Sequence, residues 1–193
     1  MQNKIVVLLL IILIILSVLL YPLWGVQLFL WSVLFLFIRH YRYVIKPESD
    51  KFFIDLIGFS YPLMEILVKI FIIFNIIPYS WFWLNRVEHF IFSMFMTLLL
   101  YPFFARFVPR IKLWPVLLMI SSIVLLMGTV NEIFEYMLRV LLHFQSAQSA
   151  IFYGDTILDL ATNIVGLSFG CVLLYLKEWG YFEQLHAKKS RSR

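Results

Sequence analysis

Long apolar runs dominate the chain, and the polar breaks between them fall at intervals that suit membrane-crossing helices. Residues 5–38 are apolar except around Tyr21-Pro22-Leu23-Trp24-Gly25. As one helix this stretch would measure about 50 Å, well beyond a hydrocarbon core of about 30 Å. Pro22 and Gly25 offer a break, so the pattern predicts a tight hairpin of two short spans, 5–21 and 23–38. Further apolar stretches at 52–78, 87–105, 114–141 and 156–177 bring the predicted spans to six. The expected fold is an all-α, polytopic transmembrane helical bundle. Residues 1–181 would form a single domain, followed by a basic cytoplasmic tail over 182–193.

A six-span path returns both termini to one side. Thirteen of the 16 Lys and Arg residues then fall on that side, leaving Arg86 and Arg139 opposite and Lys69 within the third span. This bias places both termini in the cytoplasm. Tyr79, Trp81, Trp83 and Trp114 lie near predicted span ends, where interfacial aromatics collect. Residues 39–51 form a short inner loop and 142–154 the longest outer one. The run after Lys4 resembles a signal peptide, but no small-x-small cleavage site follows and further spans do, so it reads as a retained anchor.

Composition narrows the class further. With 63% hydrophobic residues among 193, the chain is long enough for one helical bundle and no sizeable soluble domain. The net charge of +5 is accounted for by orientation signals and does not point to nucleic acid. A lone cysteine, Cys171, rules out an intramolecular disulfide.

Polar residues inside spans are costly and usually face a bundle interior or a wet cavity. In the fourth span, Arg86, His89 and Ser93 share a face, continued by Thr97. In the fifth, Gly128, Glu132, Glu135 and Arg139 form a stripe with Asn131 at its edge. Glu135 and Arg139 can pair along the helix, which accounts for one carboxylate but not for Glu132 as well. Two carboxylates one turn apart in low dielectric repel unless a cation sits between them. In the sixth span, Asp155, Asp159, Thr162, Asn163, Gly166 and Gly170 lie on one stripe. Asp155 suits a helix cap after a turn at Gly154, whereas Asp159 and Asn163 lie too deep to cap anything. The Gly166-x-x-x-Gly170 spacing marks close helix packing. All three polar ends fall within about 15 Å of the outer interface. The third span carries a neutralising pair, Glu65 and Lys69, in the favourable i, i+4 order. Asp55 falls near its inner end, and Gly58 and Pro62 are expected to bend it.

Three short signatures give these stripes a resemblance. Arg86-x-x-His89-Phe90, Glu132-x-x-Glu135-Tyr136 and Gly154-Asp155-x-x-x-Asp159, with Asn163 and Gly166 beyond, are similar to the YjdF-type family of bacterial membrane proteins and more distantly to VanZ-like proteins. The match covers residues 85–170, with Tyr136 where YjdF-type proteins usually carry Trp. The resemblance implies a multi-pass protein of the bacterial plasma membrane and, through VanZ-like proteins, a role in the cell envelope. It implies no particular activity. Prenyl-type intramembrane proteases and acid-phosphatase-type lipid phosphatases fit worse, because their motifs are missing. No His-Glu-x-x-His, P-loop or Gly-x-Ser-x-Gly is present.

Three functions remain open. As an enzyme, the protein would use His89, Glu132 and Asp159 catalytically, since histidine exchanges protons near neutrality. Arg86 and Asn163 would bind substrate, and Glu132, Glu135, Asp155 and Asp159 would hold a divalent metal ion. The substrate would be a membrane lipid or lipid-linked envelope precursor, and the reaction hydrolysis or group transfer. Alternatively, the cluster binds a cation or proton in transport, or is the polar core of a non-catalytic envelope factor.

Overall fold

The computed structural model describes residues 2–20, 22–43, 49–78, 83–105, 113–141 and 149–191. They form six helices and no strand: α1 (Gln2–Leu20), α2 (Pro22–Tyr43), α3 (Ser49–Ile73), α4 (Trp83–Phe104), α5 (Leu113–Leu141) and α6 (Ser149–Arg191). Among the described residues, four apolar segments are long enough to cross a bilayer: Phe52–Ile73, Trp83–Phe104, Leu113–Phe134 and Gly154–Glu178. Shorter apolar segments, Ile5–Leu19 and Leu28–Tyr41, occupy α1 and α2. This is a helical membrane architecture, in which backbone groups within a span are satisfied mainly along their own helix. The chain divides into two compact units, Met1–Leu84 and Asn85–Arg193.

In the first unit the apolar run of residues 5–38 is two helices, as its length requires. Pro22 is the first residue of α2, a position where the missing N–H costs nothing because it would have no helical acceptor. Gly25 lies inside α2 and does not interrupt it. Helix α2 buries Leu28, Trp31, Ser32, Phe35, Ile38 and Arg39, one continuous stripe. Helix α3 answers with Ile54, Ile57, Tyr61, Glu65 and Lys69.

Pro62 sets how α2 and α3 meet. Its ring nitrogen cannot donate to the carbonyl one turn back, which leaves Gly58 C=O without its helical donor. The indole Nε1–H of Trp31 fills that role at 3.0 Å. A Cβ at position 58 would lie 2.2 Å from the Phe35 ring, so only glycine admits this approach. Arg39 clasps Asp55 with two bonds, Nε to Oδ1 at 2.6 Å and Nη2 to Oδ2 at 3.3 Å. Arg39, read from sequence only as an orientation signal, thus also ties α2 to α3. The expected Glu65–Lys69 pair forms along α3, Oε2 to Nζ at 3.7 Å, with both residues buried.

Helix α3 ends at Ile73, short of the predicted boundary at 78. Asn75 adopts a left-handed conformation, φ 56°. Its N–H reaches Ile72 C=O at 3.0 Å, and the Ile76 N–H reaches Phe71 C=O at 2.9 Å. This pair of bonds is a Schellman stop with asparagine in the place glycine usually takes.

In the second unit α5 and α6 pack together, and α6 meets α4 through its glycines. A Cβ at position 166 would sit 2.3 Å from the Phe90 carbonyl oxygen, and one at 170 would sit 2.9 Å from Thr97 Cβ. The Gly-x-x-x-Gly spacing therefore marks backbone-close packing. Helix α6 starts at Ser149 rather than at 156, so Gly154 and Asp155 lie within it. Asp155 is thus past the first turn and is not a cap. The helix continues through 182–191 of the expected tail. Trp83 and Trp114 open α4 and α5 as exposed aromatics. The expectations for Tyr79, Trp81 and the loop residues 44–48, 106–112 and 142–148 lie outside the described residues.

Candidate functional site

Polar residues in the second unit recur every four positions on α4 and α6, and on α5 a glycine stands four residues before Glu132. On α4 the series is Asn85, His89, Ser93 and Thr97; on α5, Gly128 and Glu132; on α6, Asp155, Asp159 and Asn163. Four residues advance a helix by about 6 Å while rotating it only about 40° past a full turn. Each series therefore stays on one face, and the three faces meet in stacked layers.

The central layer joins His89, Glu132 and Asp159, all buried. His89 Nε2 lies 3.5 Å from Glu132 Oε1 and 3.8 Å from Asp159 Oδ2. One donor atom from each residue falls within 4.8 Å of the others. Donors around a tetrahedral zinc with bonds of about 2.1 Å stand about 3.4 Å apart, so the triad is close to ligating separation. Imidazole with two carboxylates suits Zn²⁺ or Mn²⁺.

Above this layer, Arg86 binds Asp155 through Nη2 and approaches Asp159 Oδ1 with Nε at 3.6 Å. Asn85 Nδ2 donates to Asp159 Oδ2 at 2.7 Å. Asp159 is thus steered from one side by a neutral donor and from the other by a cation. Below the central layer, Ser93 Oγ donates to Asn163 Oδ1 at 2.6 Å, and Thr97 Oγ1 donates to the Ser93 carbonyl at 2.7 Å. Asn163 is only 1% exposed, and its Nδ2 is buried with no hydrogen-bond partner among the described residues.

The structure therefore brings together His89, Glu132 and Asp159, places Arg86 and Asp155 as a pair on one side of them, and sets Asn163 one turn away on the other. The side chains of Glu135 and Arg139 lie outside the described ones. Among the described side chains, Arg86 lies against the carboxylates of Asp155 and Asp159, and His89 against those of Glu132 and Asp159. Sequence reading overlooked Asn85 and the Ser93–Asn163 bond. The signal was available, because Asn85 stands four residues before His89, in step with Ser93 and Thr97.

Fold and site together define a helical membrane protein with a buried histidine–carboxylate cluster. The chain belongs to the DUF2238 family of predicted membrane proteins, whose family model matches residues 2–178. This is the family to which the YjdF-type resemblance points, and the match reaches well beyond residues 85–170. No curated protein and no solved structure matches the chain.

Proposed function

We propose that this protein binds a divalent transition-metal ion between His89, Glu132 and Asp159 and hydrolyses or transfers groups on lipid-linked substrates of the bacterial cell envelope. The observation that carries the reading is the convergence of one imidazole and two carboxylates, buried in a membrane bundle, at separations near those of metal ligands. A divalent ion supplies Lewis acidity and lowers the cost of deprotonating water. Asn85 and Arg86 orient Asp159, in the manner of residues that aim metal-ligating groups. Arg86 sits where an arriving phosphate or carboxylate headgroup would compete with Asp155 for its guanidinium. The cationic bias of the loops puts both termini in the cytoplasm of a multi-pass plasma-membrane protein, with the triad toward the outer leaflet. The distant likeness to VanZ-like proteins favours an envelope substrate.

A second reading draws on the same geometry. One nitrogen, His89 Nε2, faces both carboxylates, an arrangement that also suits a bound proton and hence proton-coupled transport.

Metal analysis separates the two. Detergent-purified protein is expected to carry about one Zn²⁺ or Mn²⁺ per chain, a structural and catalytic norm for such sites. H89A and D159A, purified alike, are expected to carry almost none. Unmutated protein free of metal after growth with both ions would remove the enzyme reading and leave proton uptake in proteoliposomes to be measured.

A further inference from the structure

We infer that the side-chain amide of Asn163 is a ligand contact, donating a hydrogen bond to a phosphate oxygen held at the triad. The inference rests on the metal-binding reading and extends it to the ligand. Buried amide nitrogens are nearly always paired. That of Asn163 is buried with no hydrogen-bond partner among the described residues. The Ser93 hydroxyl donates to Oδ1 at 2.6 Å, and in this arrangement the NH₂ turns away from α4. The NH₂ faces α5 at Gly128, where a Cβ would lie 2.8 Å from Nδ2. Glycine there gives the amide its room, since a side chain at 128 would crowd Nδ2. Packing alone would be met by an aliphatic residue at 163 and any small side chain at 128. Instead an oriented donor stands in the three-helix interior, one turn from Asp159 and facing the helix that carries Glu132. The amide is uncharged, so it needs no counter-ion of its own and stays available to an anion. With Arg86 one turn away on the far side of the triad, the site offers donors both above and below a metal. An oxyanion matches that arrangement, and a phosphate group, free or on a lipid headgroup, is its most common form in a membrane.

The test uses full-length protein in detergent loaded with Co²⁺, whose visible spectrum reports ligand binding. Inorganic phosphate is titrated in one arm and phosphatidate in mixed micelles in the other. N163L keeps the volume and removes the donor; G128A keeps the donor but pushes it aside from α5. Both are expected to bind Co²⁺ within about threefold of the unmutated affinity and phosphate about 10- to 100-fold more weakly, as expected for loss of a hydrogen bond to a charged group. S93A, which only unties the amide, should lose a few-fold. An effect in both arms assigns shared phosphate chemistry, and one confined to phosphatidate assigns the lipid headgroup; either supports the inference. Unchanged phosphate affinity in N163L and G128A, or no phosphate binding by unmutated Co²⁺ protein, overturns it and leaves the metal site standing. Failure of the unmutated protein to take up Co²⁺ overturns both.

Discussion

Several contacts converge on Asp159. It receives Asn85 on Oδ2, faces the Arg86 guanidinium with Oδ1, and shares the His89 nitrogen with Glu132. Removing Asn85 leaves the carboxylate free to rotate toward Arg86. N85A is therefore expected to bind metal about 10- to 100-fold more weakly, the usual cost of losing a residue that orients a ligand, measurable by competition with a chelator. Unchanged affinity would mean that Arg86 alone aims Asp159. At this scale most of the site was legible from spacing. His89, Glu132, Asp159 and Asn163 each belong to a polar stripe that an amphipathic membrane helix must turn inward. Asp155 was misread for a reason of element length: capping depends on where a helix begins, and the start of α6 at Ser149 lies in a stretch whose composition carries no boundary signal. Asn85 was missed because the adjacent Arg86 offered the stronger chemistry while Asn85 held the better register.

Among the elements, the α2–α3 contact shows how one residue type sets a partner's requirement on another helix. Pro62 strips a donor from Gly58 C=O, and the Trp31 indole replaces it. W31F keeps the aromatic bulk and removes the donor, leaving a buried carbonyl unsatisfied. A loss of about 1–3 kcal/mol is expected, readable as a lowered unfolding midpoint in detergent. A midpoint equal to that of the unmutated protein would show that the carbonyl finds another donor. The sequence pattern predicted that residues 5–38 would split, because a single helix that long does not fit a bilayer. It also predicted close packing at Gly166 and Gly170, without saying that α4 is the partner. It overran the end of α3 because the apolar residues continue through Ile77. The stop was nonetheless written there: Asn75 tolerates a left-handed backbone and Pro78 follows shortly after, a pairing that ends helices even inside an apolar run. What periodicity could not supply was lateral order. Which three helices share their polar faces is a matter of packing partners, and a lone sequence records only depth.

For the whole molecule, orientation is the property that decides which substrates can reach the site. Under the proposed topology the polar ends of α4, α5 and α6 lie toward the outer leaflet. The chain makes this easy to check, since Cys171 is its only cysteine. In a C171S background, single cysteines at Asn85 and at Lys177 are expected to label oppositely with a membrane-impermeant thiol reagent on intact cells, position 85 reacting and position 177 protected. The reverse pattern would turn the site toward the cytosol and exclude outer-leaflet substrates.

The shared four-residue rhythm of α4, α5 and α6 has an evolutionary corollary. Point substitutions alter one level of the stack and leave the others in place. A single-residue insertion or deletion between Asp155 and Asn163, by contrast, swings everything beyond it through about 100° and dismantles the whole column in one step. Descendants of this chain can vary their lipid-facing residues freely, but these three segments are bound to keep a constant length.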